Sequence, residues 1–302
     1  MSEEPRRINA IELRGRATAA KIDADVKLML DAFRSESETQ SGRQADWDPP
    51  ALAVFRVGNQ PDDIRYEKGI LKTFGNLGLG VRVFEFPAKV SQKTFLVDLM
   101  KANEDPGING ILVFQPLPKH IDGRLIAGMI DPRKDVDGIS PANVAKVFSA
   151  DMTGFAPCTA VSVMTMLDRA DIDLAGMKTV VVGRSMVIGK PLSMLLLSRD
   201  ATVTVCHSKT KNLPAVCKEA EILIACIGRP KMITADYVRP GAVVIDVGIN
   251  VDDDGALCGD VDFEAVGRVA GAITPSPGGV GVVTTSVLAM QVMKAAKLQT
   301  DS

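Results

Sequence analysis

The chain has few of the side chains that most metal and nucleic-acid chemistry needs. Its 302 residues include two histidines, one tryptophan and two tyrosines. The five cysteines, Cys158, Cys206, Cys217, Cys226 and Cys258, show no C-x-x-C spacing. A zinc centre needs closely spaced ligands, so metal binding is excluded. An odd, scattered set of thiols suits a reducing compartment better than a disulfide framework, and a cytoplasmic location follows. A formal net charge of −2 gives no footprint for nucleic acid. Apolar runs such as Ala220–Ile227 fall far short of the roughly 20 residues that a bilayer span requires. The charged N-terminus lacks the apolar stretch of a signal peptide. The remaining composition, 46% hydrophobic and 24% charged, fits a globular chain with a substantial core. Its length suits about two domains.

Strand and helix patterns alternate, which argues for a parallel α/β sheet. Residues from about Glu12 to Phe33 read as an amphipathic helix, and Ser35 to Pro50 as a polar loop. Ala51–Val57, Val81–Phe86 and Gly110–Val113 read as strands, with a helix over Tyr66–Leu77. The second half alternates more plainly. Lys178–Val182, Thr202–Cys206, Ile222–Ala225, Ala242–Asp246 and Ala272–Thr274 read as strands. Helices are expected to begin near Gly189, Leu213 and Thr234. This is the pattern of a doubly wound, Rossmann-type nucleotide-binding domain. Val282–Ala296 has helical period without a breaker.

The segment Thr179–Pro191 carries the most chemistry. An apolar run stops at Gly183, and a helix-compatible stretch follows Gly189. A strand handing over to a helix N-terminus presents free N–H groups to a phosphate. Arg184 and Ser185 add a fixed cation and a hydroxyl donor. The spacing is not G-x-G-x-x-G, so the same residues could equally form an ordinary strand–helix turn.

Val182-Gly183-Arg184-Ser185 with Gly189 and Pro191 resembles the cofactor turn of the methylenetetrahydrofolate dehydrogenase/cyclohydrolase family. Further segments are similar to that family in order: Gly110–Val113, Pro116–Ile121, Lys134–Gly138, Pro157-Cys158-Thr159, Cys206-His207-Ser208, Val244–Asn250, Gly259–Asp262 and Thr274–Gly281. The likeness runs from about Ala51 to about Met293. It implies an N-terminal α/β folate domain and a C-terminal Rossmann-type domain. Because the family's last helix returns to the first domain, the expected boundaries are 1–155 with 282–302, and 156–281. It also implies a homodimer acting on tetrahydrofolate derivatives, with a reduced folate bound between the domains and its methylene bridge oxidised by hydride transfer to a nicotinamide.

The resemblance assigns roles residue by residue. Tyr66 matches the tyrosine packed against the folate rings, where an aromatic face suits a flat heterocycle. Asp137 matches the aspartate that hydrogen-bonds the pterin, as a carboxylate can accept two donors from an amino-pyrimidinone edge. These two are the expected catalytic residues. A turn role before Gly138 is the plainer reading of Asp137, and one that suits Asp135 better. Phe114, Gln115, Pro116, Leu117, Pro277, Gly278 and Gly279 complete the expected substrate site. Gly183, Arg184, Ser185, Gly189, His207, Ser208, Ile249 and Gly279 make up the expected cofactor site. NADP is expected over NAD. Arg184 and Ser208 offer a guanidinium and a hydroxyl to a 2′-phosphate, and no acidic residue ends the strand Thr202–Cys206.

Two positions depart from the family pattern. The family usually has a lysine four residues after the tyrosine, where this chain has Ile70. Lys68 and Lys72 lie about 200° around the helix from that position on either side. The family commonly reads V-Q-L-P-L-P, whereas this chain reads Val113-Phe114-Gln115-Pro116-Leu117-Pro118. Gln115 comes one residue late and should face the other way. The cyclohydrolase step needs a proton carrier, and isoleucine cannot serve. Some monofunctional dehydrogenases of the family likewise lack the pair. A dehydrogenase without hydrolase activity is therefore expected. A bifunctional enzyme with another proton carrier and a non-catalytic folate- or nucleotide-binding paralogue are the alternatives.

Overall fold

The computed structural model describes residues 9–41 and 47–300. Its elements begin with β1 (Ile11–Glu12), α1 (Gly15–Ser41), β2 (Ala51–Val57), α2 (Pro61–Leu77), β3 (Gly80–Phe86), α3 (Gln92–Glu104) and β4 (Gly110–Val113). Helices α4 (Gly123–Met129), α5 (Pro141–Phe148) and α6 (Cys158–Arg169) follow. The second half holds β5 (Lys178–Val182), α7 (Gly189–Leu197), β6 (Thr202–Cys206), α8 (Leu213–Cys217), β7 (Ile222–Ala225) and β8 (Val243–Asp246). The chain closes with β9 (Asn250–Val251), β10 (Leu257–Cys258), α9 (Phe263–Val266), β11 (Ala272–Ile273) and α10 (Val280–Thr300). Two compact units result: Ala20–Cys158 with Thr285–Ser302, and Met1–Ala19 with Thr159–Thr284.

The first of these units is built on a parallel three-stranded sheet in the order β3-β2-β4. Its core gathers Phe55, Phe86, Phe95, Leu99, Ile111 and Ile126. The Phe55 and Phe84 rings stack at 4.6 Å. Helix α2 starts with Pro61 at its first position and has Asp62 and Asp63 in its first turn. Both features favour an N-terminus, one by pre-set φ and the other through the helix dipole. It stops at Gly78, which is left-handed at φ 79°. Ile70, Phe74 and Leu77 form its buried stripe, each side chain contributing about 1.5–3 kcal/mol by leaving water.

The second unit carries a six-stranded sheet in the order β1-β11-β8-β7-β5-β6, parallel throughout. Strands β5 and β7 are almost continuously buried, as parallel strands covered on both faces must be. From β5 the chain crosses to β6 on one side, then returns to β7 on the other. That reversal opens a crevice at the carboxyl ends of the strands, where doubly wound sheets bind ligands.

The structure differs from the sequence reading in three places, the first being that the helix expected near Thr234 is only a three-residue 3-10 turn, Ala235–Tyr237. The first helix begins at Gly15 and continues to Ser41, so residues 35–41 are helical rather than a loop. Residues 42–46 of the expected loop lie outside the described residues. The N-terminal segment also changes unit. β1 pairs in parallel with β11, Ile11 opposite Ala272, so residues 9–19 join the six-stranded unit rather than the expected 1–155 domain. The remaining unit borders fall at 158/159 and 284/285, a few residues from the expected 155/156 and 281/282.

Candidate active site

In the six-stranded unit, the ends of β5, β6 and β7 enclose a cavity of about 290 Å³. Gly183, Arg184, Ser185, His207 and Ser208 line it, together with Val182, Leu213, Cys226, Ile227, Arg229 and Met232. Gly183 takes φ 137°, and a side chain there would overlap the Cys226 carbonyl. A side chain at Gly189 would overlap the Gly183 carbonyl, so both positions demand glycine. Between them, the Ser185 hydroxyl accepts the Ile188 N–H at 3.1 Å, and the Ser185 carbonyl accepts the Lys190 N–H at 3.0 Å. The turn thus enters the nine-residue helix α7 fully folded.

Arg184 and Ser208 are exposed at the cavity mouth. His207 is tied into its own loop: its N–H meets the Thr210 hydroxyl at 2.9 Å, and its Nδ1 faces the Lys209 N–H at 3.2 Å. Burial pushes the Cys226 thiol up to about 12, which leaves it an unreactive wall. Three expected cofactor residues do not line this cavity. Gly189 supports the turn from behind, the Gly279 carbonyl packs against Gly15, and Ile249 is exposed beside Gly281. Pro277 is exposed and Gly278 half-buried, and the Gly278 carbonyl accepts the Gly15 N–H at 2.9 Å.

Two buried aspartates hold the floor of this unit. Asp246 accepts the N–H groups of Gly248, Asp260 and Val261 at 3.0 Å each. Burial pushes its carboxyl up to about 7, while those three bonds pull the other way. Asp260 is fully buried and receives the N–H groups of Ile227, Gly228 and Arg229 at 2.6, 3.2 and 2.8 Å. Asn250 donates to it at 2.9 Å. The two aspartates and Asn250 are therefore structural, and Asp260 fixes the loop after β7 that closes the cavity.

The three-stranded unit assembles a second cluster from α2, the end of β4 and the segment before α5. Arg56 on β2 donates to Glu67 of α2 at 2.7 Å and pairs with Glu85 of β3 at 3.1 Å. This buried anchor sets the helix that carries Tyr66. The Tyr66 ring lies 5.4 Å from the Phe114 ring. Burial lifts its phenol well above the ordinary value, with the nearby Cys158 and Asp137 charges adding to the shift. The Asp137 carboxylate accepts the Cys158 N–H at 2.8 Å, yet burial raises it to about 6. Gln291 of α10 donates to the carbonyls of Val136 and Ala156 at 2.6 and 3.1 Å, which braces the segment around Asp137. Asp135 has the structural role expected of it, accepting from Ile139, Ser140 and Asn143.

The two departures are built into this cluster. Ile70 is fully buried, one turn from Tyr66 on the same helix. Lys68 and Lys72 are exposed. Phe114 is buried and extends the strand, its N–H bonding the Phe55 carbonyl at 3.0 Å. Gln115 and Pro116 are exposed and Leu117 is half-buried. Gln115 turns to its own loop, accepting the Leu117 N–H at 3.4 Å.

The profile of the tetrahydrofolate dehydrogenase/cyclohydrolase catalytic domain matches residues 13–137, and that family's NAD(P)-binding domain matches residues 157–300. The chain is 53% identical over 252 residues to "Bifunctional protein FolD" of Clostridioides difficile, covering 83% of this chain and 88% of that one. The chain belongs to the tetrahydrofolate dehydrogenase/cyclohydrolase family. Two solved members of the family overlay it closely. The bifunctional FolD enzyme of Campylobacter jejuni matches with a TM-score of 0.90 at 36% identity, over 96% of this chain and 99% of that one. The Trypanosoma brucei methylenetetrahydrofolate dehydrogenase-cyclohydrolase, complexed with NADP cofactor and inhibitor, matches with a TM-score of 0.89 at 30% identity, over 97% and 99%.

Leu213, Ile227, Arg229 and Met232 were not legible as cavity residues. The only sequence signal was Gly228-Arg229-Pro230, a break following a strand. Among the described residues, no group of three or more His, Cys, Asp or Glu is placed to hold a metal ion. No described helix is long and apolar enough to cross a membrane.

Proposed function

We propose that this family member oxidises 5,10-methylenetetrahydrofolate to 5,10-methenyltetrahydrofolate with NADP, and that it does so without cyclohydrolase activity. Family membership supports the oxidation, and the Trypanosoma brucei complex supports NADP. The buried Ile70 beside the Tyr66–Phe114 pair carries the second half. Bifunctional relatives such as that of Clostridioides difficile keep the rival reading of a double activity open to test.

The residues of the cofactor cavity fit the group. Gly183 and Gly189 keep the turn tight enough for a ligand to approach its backbone, and Arg184 and Ser208 meet a ribose phosphate; the first turn of α7 adds little, since the Lys190 N–H is bonded to the Ser185 carbonyl and Pro191 has none. When bound, NADP supplies the hydride acceptor. The C–H bond of the methylene bridge breaks, its electron pair leaves with the hydrogen, and the substrate nitrogen lone pair stabilises the resulting cation. No base has to remove a proton. The protein's work is orientation: Tyr66 and Phe114 present aromatic faces to the folate ring, and Asp137 accepts its amino-pyrimidinone donors. This reading places the enzyme in the cytoplasm as a homodimer with neither nucleic-acid nor membrane partners. The central test is absorbance of the methenyl product from methylenetetrahydrofolate with NADP or NAD. Its absence with both cofactors sinks the proposal.

Asp137 gives a second expected outcome. Asp137→Ala should raise the KM for methylenetetrahydrofolate about tenfold, the loss of one charge-assisted contact, in a protein that still melts cooperatively. The carboxyl also sets a pH dependence. Its folded pKa of about 6 lies above the ordinary carboxylate value. Its contribution to stability is thus fully present at low pH and lost as pH rises through about 6. Folate binding runs the opposite way, because the ring donors need the charged form. Affinity for a non-reactive folate analogue should fall as pH drops below about 6, and Asp137→Asn should flatten that dependence. An unchanged profile removes Asp137 from the site.

A further inference from the structure

The cofactor cavity holds a second guanidinium that the family resemblance does not assign. Arg229 lies on the loop after β7, across the crevice from the β6 end that carries Ser208. Its backbone is pinned, since its N–H donates to the fully buried Asp260 at 2.8 Å, alongside those of Ile227 and Gly228. Its side chain is exposed at the cavity rim, and among the described residues no carboxylate pairs with it. The next cation along, Lys231, is already committed to Asp252 at 2.9 Å. The charged side chains lining the cavity are Arg184 and Arg229, and no carboxylate lines it.

This arrangement suits a ligand with more negative charge than one arginine can balance. A phosphate monoester carries close to two charges at neutral pH. A single guanidinium leaves such a group half neutralised, whereas two guanidiniums match it, and each can offer paired donors to its oxygens. A loop already held by three backbone bonds also loses less freedom when its arginine closes on a ligand.

We infer that Arg229 is a specificity-determining residue, which joins Arg184 in binding the phosphate on the adenosine ribose of NADP. The inference rests on the NADP reading above. It differs from stacking of the guanidinium on the adenine ring, which NAD would share equally.

Calorimetric titration of the full-length protein with NADP, NAD and adenosine 2′,5′-bisphosphate tests it. Arg229→Ala should weaken NADP and the bisphosphate about tenfold and leave NAD within about twofold. Arg229→Lys should recover part of the loss, because the charge returns without the fork. Equal losses for NAD and NADP would overturn the assignment in favour of adenine stacking, and unchanged NADP affinity would overturn it outright. In both of those cases the unmodified protein still prefers NADP, so the underlying reading survives. If the unmodified protein shows no preference for NADP or the bisphosphate, that reading fails and this inference fails with it.

Discussion

Given 5,10-methenyltetrahydrofolate, the unmodified protein is expected to hydrolyse it barely faster than buffer, while oxidising methylenetetrahydrofolate readily. General acid–base groups contribute about 10²–10⁴-fold, so a missing proton carrier should be plain in the decay of methenyl absorbance. The physical reason lies in three side chains. Ile70 is fully buried, and its hydrocarbon side chain has no group that can carry a proton. Phe114 puts a ring against Tyr66 where an amide would otherwise reach in. Gln115 is exposed and bonded to its own loop. Ile70→Lys alone should restore little, since a lysine beside Phe114 would be desolvated without an amide partner. Ile70→Lys with Phe114→Gln has the better prospect, provided thermal melting shows the double variant folded. Robust hydrolysis by the unmodified protein would mean that Lys68, Lys72 or Gln115 moves to the ring.

Replacing Arg184 by alanine should weaken NADP by roughly 10–150-fold while NAD changes little, the range expected for one hydrogen bond to a charged group. The residue follows directly on the Gly183 turn and is exposed at the cavity mouth, so its loss should not disturb folding. Direct titration with both cofactors checks it. Equal losses would show that Arg184 holds the shared diphosphate and not the ribose phosphate.

The centre of the six-stranded unit was readable because parallel strands buried on both faces become unbroken apolar runs, as β5 and β7 are, while the exposed edge strand β6 shows the alternation Thr202-Val203-Thr204-Val205; all three fall at the residues so marked. The Gly183–Gly189 turn was readable because backbone geometry dictates residue type there. The end of α1 was not. Residues 35–41 carry no apolar stripe, and only continuation of a helix already nucleated makes them helical. β1 was invisible for another reason: two residues hold no period, and their partner lies some 260 positions away in sequence, Ile11 opposite Ala272. In the candidate site, Tyr66, Asp137 and Arg184 were named by the family resemblance, because each stands in a short contiguous motif. Arg229 was not, because its place depends on a loop folded around the distant Asp260.

The pairing of β1 with β11 also bears on how this enzyme can be cut for study. A fragment starting at residue 157, the natural choice from the family profile, would leave β11 as an unprotected border with its hydrogen-bonding groups bare. Such a border recruits strands from other molecules. The cofactor-binding half is therefore best produced with the first dozen or so residues of the chain rejoined to it, a circular rearrangement rather than a truncation.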